Sequence, residues 1–246
     1  MRTSGHTALI TGGASGIGLA LTERFLQNGN KVIVVGRNES KLIELRARYP
    51  EVAIMACDLS QDDEVDWLVK RLYEEYPGLS VLVNNAGIQY NYAFMEMDAA
   101  GGYDRIASEI SVNLVAPVQL TARLLPLLAR QEQAAVINVS SGLGLVPKKS
   151  APVYCGTKAG LHLFTKALRY QLEGTGIRVF EVIPPIVDTD MTLGRGRGKI
   201  SPEVLADQFW TSYRHDRLEV AIGKVKLLKW VNRLAPSLAE ALLKNS

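Results

Sequence analysis

The strongest constraint on the fold is a regular alternation of short apolar segments with longer segments of helical periodicity. Six β-branched, aliphatic runs predict strands, at residues 7–10, 31–35, 52–56, 80–83, 135–139 and 178–183. The stretches between them predict helices, at residues 16–28, 39–49, 62–76, 102–129 and 152–173. Strands that alternate with helices pair in parallel through right-handed crossovers, which puts helices on both faces. The sequence therefore predicts an α/β fold with a doubly wound parallel sheet of six to seven strands, a further short strand being expected at residues 218–222.

Length and composition favour one domain over residues 1–246. Hydrophobic residues make up 47% of the chain and charged residues 22%, which is ordinary globular usage. The regular pattern ends after residue 183, and a glycine-rich stretch follows, so we expect a mobile substrate segment over about residues 188–212. No apolar run approaches the roughly 18 residues that span a bilayer. Because the two cysteines fit a reducing compartment, we expect a cytoplasmic protein.

Positive charge is concentrated near the C-terminus. The net charge is +3, but residues 195–246 hold ten bases and five acids, so this part carries +5 and the rest −2. The total is too small to indicate a nucleic-acid partner. Within the basic segment of about residues 224–246, apolar residues recur at helical spacing, with a kink expected near Pro236: Leu227, Val231, Leu234, Leu238 and Leu242. We expect this stripe to pack on the domain or to join two subunits, with peripheral contact to an anionic membrane as the alternative.

A glycine-rich turn joins the first predicted strand to the first helix. Its sequence, TGGASGIG at residues 11–18, lets backbone N–H groups approach a pyrophosphate at the positive end of the helix dipole. The alternative is a plain glycine-rich turn, but its position in the first βαβ unit favours a dinucleotide site. The candidate cofactor-binding residues here are Gly12, Ser15, Gly16, Ile17 and Gly18.

Three motifs occur in order at successive strand ends. The TGxxxGxG spacing, NNAG at residues 84–87 and YCGTK at residues 154–158 together resemble the short-chain dehydrogenase/reductase family, over nearly all of residues 5–190. The resemblance implies a single NAD(P)-binding, Rossmann-like domain. Residues 183–189 are most similar to the bacterial oxidoreductases of the DltE type, with Pro185 where most members have glycine.

The end of the second strand bears on the choice of cofactor. An acid there would repel a 2′-phosphate, whereas Gly36 leaves space and Arg37 offers a guanidinium fork, so NADP(H) is favoured over NAD(H). The alternative for Arg37 is an ordinary surface arginine. The resemblance implies that Asp58 and Leu59 hold the adenine, although Asp58 has helix capping as its alternative role. It implies a further set of cofactor-binding residues: Asn85, Ala86, Gly87, Tyr154, Lys158, Pro184, Ile186 and Thr189.

The spacing of Tyr154 and Lys158 puts both side chains on one helical face. An ammonium beside a phenol favours the phenolate, and a shift of about 3 pKa units would poise the phenol near neutrality. Lys158 and a cationic nicotinamide together are expected to supply that shift. Without other motifs, such a pair is usually an aromatic ring packed on an aliphatic stem. The resemblance implies that Ser141 holds the substrate oxygen and that Asn113 bends the long helix and anchors a water chain to Lys158. Strand alternation points Ser140 to the opposite face.

Taken together, these residues predict an NADP(H)-dependent enzyme that interconverts a carbonyl and a secondary alcohol on a small molecule. A non-catalytic dinucleotide sensor with the same fold is the alternative from another class, and an extended-family epimerase or dehydratase would need a larger C-terminal domain. The resemblance implies a homodimer or homotetramer. The expected substrate segment offers Arg195, Arg197, Trp210 and Tyr213 as pocket residues, and the three histidines have no metal-ligand spacing.

Overall fold

The computed structural model describes residues 1–97 and 102–245, and the strands in these ranges form one parallel sheet. The seven strands are β1 (Thr7–Thr11), β2 (Lys31–Gly36), β3 (Ala53–Ala56), β4 (Leu79–Asn84), β5 (Ala134–Val139), β6 (Ile177–Ile183) and β7 (Glu219–Ala221). Their order is β3-β2-β1-β4-β5-β6-β7. The order reverses between β1 and β4, and such a switch point opens a crevice at the carboxyl ends of the strands. The predicted doubly wound sheet is confirmed, with seven strands.

Nine α-helices lie within the described residues. They are α1 (Gly16–Gln27), α2 (Glu39–Arg48), α3 (Asp62–Glu75), α4 (Gly102–Ile110), α5 (Ala116–Leu128), α6 (Pro152–Gln171), α7 (Pro202–Arg214), α8 (Val225–Leu234) and α9 (Pro236–Leu243). The helix predicted over residues 102–129 consists of α4, a π-helical turn at Ser111–Val115, and α5. The π-helical turn is wider than an α-helical turn because its hydrogen bonds span one more residue. The break between α8 and α9 falls at Pro236, because the residue before a proline disfavours helical backbone angles.

Side chains of the central strands alternate between two apolar layers. Ala8 and Ile10 pack with α1 and α7 on one face, whereas Leu9 packs with α3 and α5 on the other. The continuous run Val32–Val35 is buried throughout, as expected for a strand covered on both faces.

The helical stretch Gly102–Leu128 is long and apolar enough, by length and composition alone, to cross a membrane. This differs from the expectation that no apolar run approaches the length that spans a bilayer. In the fold, Leu120, Leu124 and Leu127 are fully buried against the sheet, so the apolar character of α5 is that of a core helix.

The second half of the expected mobile segment is a packed helix. Ser201 caps α7 by accepting a hydrogen bond from the Val204 N–H, and Trp210 and Tyr213 are buried. The Trp210 ring lies 5.0 Å from that of Phe25, and the Tyr213 ring 5.1 Å from that of Phe180. The prediction that Trp210 and Tyr213 shape a substrate pocket is therefore wrong, because both residues lie on the face of α7 that packs against the core.

The C-terminal apolar stripe is also placed differently from the main expectation. In α8 and α9, only Val225 and Ala239 are fully buried, while Leu227, Leu234 and Leu242 are exposed. Packing of the stripe on its own domain is therefore wrong for these leucines, and its packing between two subunits stays a prediction. Val225, on the opposite face of α8, lies against the turn at Gly142, so Leu227 and Leu234 face outward, whereas Val231 is half-buried.

Candidate active site

A cleft of about 340 Å³ opens at the carboxyl ends of β1, β2 and β4. Twelve of the predicted cofactor residues line it: Gly12, Ser15, Gly16, Ile17, Gly18, Arg37, Asp58, Leu59, Asn85, Ala86, Gly87 and Thr189. Sequence reasoning missed several others, namely Ala14, Val35, Asn38, Lys41, Cys57, Ile88, Val112, Asp190 and Met191. The last two belong to the short 3₁₀ turn after β6, and nothing in their residue types indicated that they border the cleft.

The start of α1 has the features of an anion site. Gly12 adopts a φ of +66°, and a Cβ on Gly18 would lie 2.1 Å from the Gly12 carbonyl oxygen, so the turn and helix approach closely. Ser15 is the N-cap residue, but its side chain makes no capping bond, and no acid occupies the first turn. The first N–H groups of α1 are thus left for a ligand, and these residues fit a pyrophosphate group.

Thr11 and Asn85 hold the two sides of the cleft together. The Thr11 hydroxyl accepts hydrogen bonds from the backbone N–H groups of Asn85 and Ala86, both at 3.0 Å. The Asn85 amide donates in return to the Thr11 carbonyl at 2.9 Å. The loop after β4 is therefore fixed against the glycine-rich turn, and the Asn85 side chain supports the cleft as well as lining it.

Arg37 and Asp58 face each other across the outer end of the cleft. Arg37 Nη1 lies 3.8 Å from Asp58 Oδ2, and the guanidinium is largely exposed. The other carboxylate oxygen of Asp58 accepts hydrogen bonds from the Ser60 N–H and hydroxyl. Asp58 therefore stabilises the turn before α3, close to the capping role that the sequence left open, and it also borders the cleft.

A second ion pair crosses the cleft opening. Lys41 on α2 and Asp190 after β6 both line the cleft, and Lys41 Nζ donates to Asp190 Oδ2 at 2.6 Å. The ammonium holds the pKa of the Asp190 carboxyl below its usual value. The pair therefore links the adenosine side of the cleft to the segment after β6.

Ser141 and Tyr154 meet beyond the inner end of the cleft. Ser141 follows β5 and caps the 3₁₀ turn at Gly142–Gly144, accepting from the Leu143 N–H at 3.1 Å. Burial raises the pKa of Tyr154 to about 12, while a hydrogen bond from Ser141 and the charge of Arg195 act in the opposite direction. The lowered pKa expected from the sequence needs a cationic nicotinamide as well as Lys158, and it stays a prediction. In the structure, desolvation of the phenolate dominates.

Lys158 lies one helical turn after Tyr154 and is almost fully buried. Its Nζ donates to the Val139 carbonyl at 2.8 Å and lies 5.8 Å from the centroid of the Tyr154 ring. Burial lowers the pKa of Lys158 to about 8. A Cβ on Gly87 would lie 3.6 Å from this Nζ, so the ammonium borders the floor of the cleft even though Lys158 and Tyr154 are not among the lining residues.

Asn113 stands in the π-helical turn and reaches the same floor. Its Oδ1 accepts from the Ile88 N–H at 2.9 Å, and its Nδ2 donates to the Ile88 carbonyl at 2.8 Å. A Cβ on Gly87 would lie 3.2 Å from Asn113 Oδ1. The structure thus brings all four predicted catalytic residues, Asn113, Ser141, Tyr154 and Lys158, around one end of the cleft. Asn113 fixes the loop that forms its floor.

Besides Tyr154 and Lys158, two more predicted cofactor residues, Pro184 and Ile186, do not line the cleft. The Pro184 carbonyl accepts from the Gly142 N–H at 3.0 Å, and the Ile186 carbonyl accepts from the Ile200 N–H at 3.3 Å. Pro184 is buried behind the Ser141 turn, and the Ile186 side chain lies against Gly196. Both residues connect the segment after β6 to its neighbours.

Sequence reasoning also missed a buried network beside this site. Ser140 Oγ donates to Glu181 Oε1 at 2.6 Å, as the predicted opposite orientation of Ser140 allows. His162 Nδ1 lies 2.9 Å from the same carboxylate. Glu181 is fully buried on β6, so Ser140 and His162 supply hydrogen-bond partners that its carboxylate needs there.

Comparisons with known proteins agree with this geometry. The family model described as short chain dehydrogenase matches residues 6–199. An uncharacterized oxidoreductase of Bacillus subtilis, DltE, is 38% identical over 243 residues, covering 95% of this chain and 94% of its own. A short-chain dehydrogenase from Sphingobium yanoikuyae in complex with NADPH is 26% identical, with a TM-score of 0.83 over 96% of this chain and 95% of its own.

A more distant solved structure carries a different dinucleotide. It is a short-chain dehydrogenase/reductase from Burkholderia phymatum in complex with NAD, 21% identical, with a TM-score of 0.85 over 100% of this chain and 98% of its own. At this identity the likeness concerns the fold. Each of these two solved structures thus holds a nicotinamide dinucleotide of its own.

Proposed function

The chain belongs to the short-chain dehydrogenase family and is an NAD(P)-dependent dehydrogenase/reductase, and from this premise we propose that it interconverts a carbonyl and a secondary alcohol on a small molecule. The observation that carries the proposal is the meeting of Ser141, Tyr154, Lys158 and Asn113 around the inner end of the dinucleotide cleft. A sensor that only binds a dinucleotide has no need of a buried phenol beside a serine hydroxyl. The catalytic set therefore favours turnover over the sensor alternative.

A bound nicotinamide dinucleotide supplies the hydride that reaches the substrate carbon, or accepts it in the reverse direction. In the direction of reduction, the Tyr154 hydroxyl gives its proton to the substrate oxygen, and Ser141 donates a hydrogen bond to that oxygen. The raised pKa keeps Tyr154 protonated at neutral pH, which suits a proton donor. In the direction of oxidation, Tyr154 must first lose its proton, a step that burial opposes and that the Ser141 hydrogen bond favours.

Lys158 and Asn113 act on the floor of the cleft in this proposal. The Lys158 ammonium, held by the Val139 carbonyl, is placed to bind a ribose hydroxyl above Gly87 and to favour the phenolate of Tyr154. Asn113 uses both ends of its carboxamide on Ile88, so it positions the loop after β4.

NADP(H) is the cofactor that we propose over NAD(H). Gly36 leaves room at the end of β2, and both Arg37 and Lys41 line the cleft beside it. Arg37 is weakly engaged, because its distance of 3.8 Å to Asp58 is too long for a hydrogen bond. The guanidinium is thus available to a 2′-phosphate.

The experiment that tests the function is a turnover screen of ketones, aldehydes and secondary alcohols with NADPH, NADP, NADH and NAD, followed by the Tyr154→Phe variant on the best substrate. We expect kcat to fall by a factor on the order of 10² to 10⁴, the range for loss of a positioned acid, while NADPH binding stays within about twofold. Full activity of Tyr154→Phe would refute the mechanism. Cofactor binding without turnover across the screen would favour the sensor.

We also propose a cytoplasmic homodimer or homotetramer built on the long helices. Exposed apolar side chains on α4 and α6, Tyr103 and Leu163 among them, support such an interface. Light scattering of the wild type and Leu163→Asp tests it. A wild-type protein that is monomeric at micromolar concentration would contradict the proposed oligomer.

A further inference from the structure

An apolar stripe forms the outermost face of α8 and α9. The outer stripe consists of Leu227, Trp230, Leu234, Leu238 and Leu242. Leu227 is 68% exposed, Trp230 63% and Leu234 77%. Single exposed apolar residues are normal on a protein surface, but five on two consecutive helices are more than isolated exposure and are typical of an interaction site.

Basic residues flank this stripe. At 100° per residue, Lys226 and Arg233 lie along one edge of the α8 part and Lys224 along the other. Residues 224–245 contain five bases and one acid, Glu240. Within the described part of the chain, only one of these bases forms an ion pair, that of Lys229 with Glu219. The others leave a basic border without counter-charge around an apolar centre.

The outer stripe adjoins the segments around the candidate active site. The loop after β4 exposes Phe94 and Met95, which share a surface cavity with Lys244 at the end of α9. A Cβ on Gly142 would lie 3.2 Å from Val225 Cγ2, so α8 begins directly against the Ser141 turn. The start of α8 and the end of α9 thus each lie next to a segment that leads into the candidate active site.

Two occupants fit an apolar stripe, a second copy of the chain or a lipid surface, and the charges distinguish them. A two-fold contact pairs identical patches, so it would bring the basic border of each copy against that of the other. Like charges across an interface disfavour that pairing. An anionic bilayer offers both an apolar interior for leucine and tryptophan and phosphate groups for lysine and arginine.

We propose that α8 and α9, together with Phe94 and Met95, bind the surface of an anionic lipid bilayer. The outer stripe enters the boundary between headgroups and acyl chains, and Lys224, Lys226 and Arg233 contact the headgroups. The proposal concerns a surface, so its tests need no turnover and can fail independently of the proposed reaction.

The first test is co-sedimentation of the full chain with vesicles of phosphatidylcholine alone or with 30% phosphatidylglycerol. We expect binding to the anionic vesicles that weakens at least tenfold as salt rises from about 50 to 500 mM. The variant Leu227→Ser/Trp230→Ser/Leu234→Ser removes apolar contacts, and Lys226→Glu/Arg233→Glu reverses two charges. Each is expected to weaken binding at least tenfold, since each basic residue near such a surface contributes roughly fivefold. Ile43→Ser and Arg46→Glu, exposed on α2, are the matched controls and should bind as the wild type does.

The second test uses Trp230, since Trp210 is buried and Trp67 lies on α3. Its fluorescence should shift to shorter wavelength with anionic vesicles, and Trp230→Phe should abolish the shift. The proposal is overturned if the wild type does not bind anionic vesicles at low salt, or if the stripe and charge variants bind as tightly as the controls. It is also overturned if the triple variant dissociates a wild-type dimer that has no affinity for vesicles, because the stripe is then a subunit interface.

Discussion

The ammonium of Lys158 donates its hydrogen bond to the Val139 carbonyl at 2.8 Å and lies 5.8 Å from the centroid of the Tyr154 ring. Both groups are deeply buried, and burial disfavours the charged form of each: the pKa of Tyr154 is raised to about 12 and that of Lys158 is lowered to about 8. The protein therefore holds a neutral phenol beside an ammonium whose charge is costly. The buried ammonium therefore lowers the stability of the fold in order to serve the site.

Lys158→Met is expected to stabilise the ligand-free protein. The pKa of Lys158 is about 8 in the folded state, whereas a solvent-exposed lysine in the unfolded chain has a pKa of 10.5. Between these two pH values the unfolded chain therefore binds more protons than the folded protein. The cost of the buried charge is fully present below pH 8 and disappears as the pH rises toward 10.5. We expect the free energy of unfolding at pH 7 to rise by about 1–3 kcal/mol in the variant.

Urea unfolding at pH 7 and pH 10, without cofactor, measures this difference. The gap between Lys158→Met and wild type should narrow at the higher pH, whereas Lys70→Met, at an exposed position on α3, should show no such trend. A variant that is less stable than wild type at pH 7 would show that the hydrogen bond to Val139 outweighs the desolvation of the ammonium.

Ser140 and Ser141 are expected to separate stability from turnover. Ser140 Oγ bonds to the buried carboxylate of Glu181, so Ser140→Ala should lower the free energy of unfolding by about 1–3 kcal/mol, the cost of a buried group that loses its partner. Ser141 lies beside the Tyr154 hydroxyl, so Ser141→Ala should mainly lower kcat, by roughly 10- to 1000-fold. Denaturant curves and kcat of both variants check this pattern, and the reverse assignment would contradict the proposed orientation of the two serines.

The predicted fold follows from signals that are local in the sequence. Strand and helix periodicity placed all seven strands to within a few residues, because a parallel sheet buries its strands on both faces and leaves continuous apolar runs such as Val32–Val35. Periodicity also marks an apolar face without saying what covers it. For α7 the face is the core, with Trp210 and Tyr213 buried, whereas for α8 the face containing Leu227 and Leu234 is exposed.

The candidate site was predictable where a motif specifies both residue type and position, as for Gly12 and Tyr154. Side-chain pairs between distant segments were not predictable from the sequence. Lys41 with Asp190 and Glu181 with His162 join residues on different elements, and their contacts exist only once the sheet order is set. The raised pKa of Tyr154 was not predictable either, because the spacing to Lys158 gives the sign of the charge effect but not the depth of burial.

Arg37 is expected to discriminate between the two dinucleotides. A charge-assisted contact to a 2′-phosphate contributes roughly 1.5–3 kcal/mol, which corresponds to about 10- to 100-fold in affinity. Arg37→Ala should therefore weaken the binding of NADPH by this factor and the binding of NADH by less than about twofold. Fluorescence titration of both cofactors measures it, with Arg46→Ala on α2 as the control. Equal or tighter binding of NADH by the wild type would overturn the proposed preference.

Lys41→Gln is expected to change the rates of cofactor exchange more than the affinity. Lys41 and Asp190 come from opposite sides of the cleft and pair across its opening, so their ion pair must open whenever a dinucleotide enters or leaves. An exposed pair of this kind is weak, so we expect the association and dissociation rate constants for NADPH to rise together by roughly two- to fivefold, with little change in Kd. Stopped-flow fluorescence measures both constants, and Asp190→Asn should have the same effect. If Lys41 instead contacts the 2′-phosphate, the two variants will change the affinity for NADPH in opposite directions. Lys41→Gln will weaken the binding of NADPH and not that of NADH, whereas Asp190→Asn will strengthen NADPH binding because it releases the Lys41 ammonium.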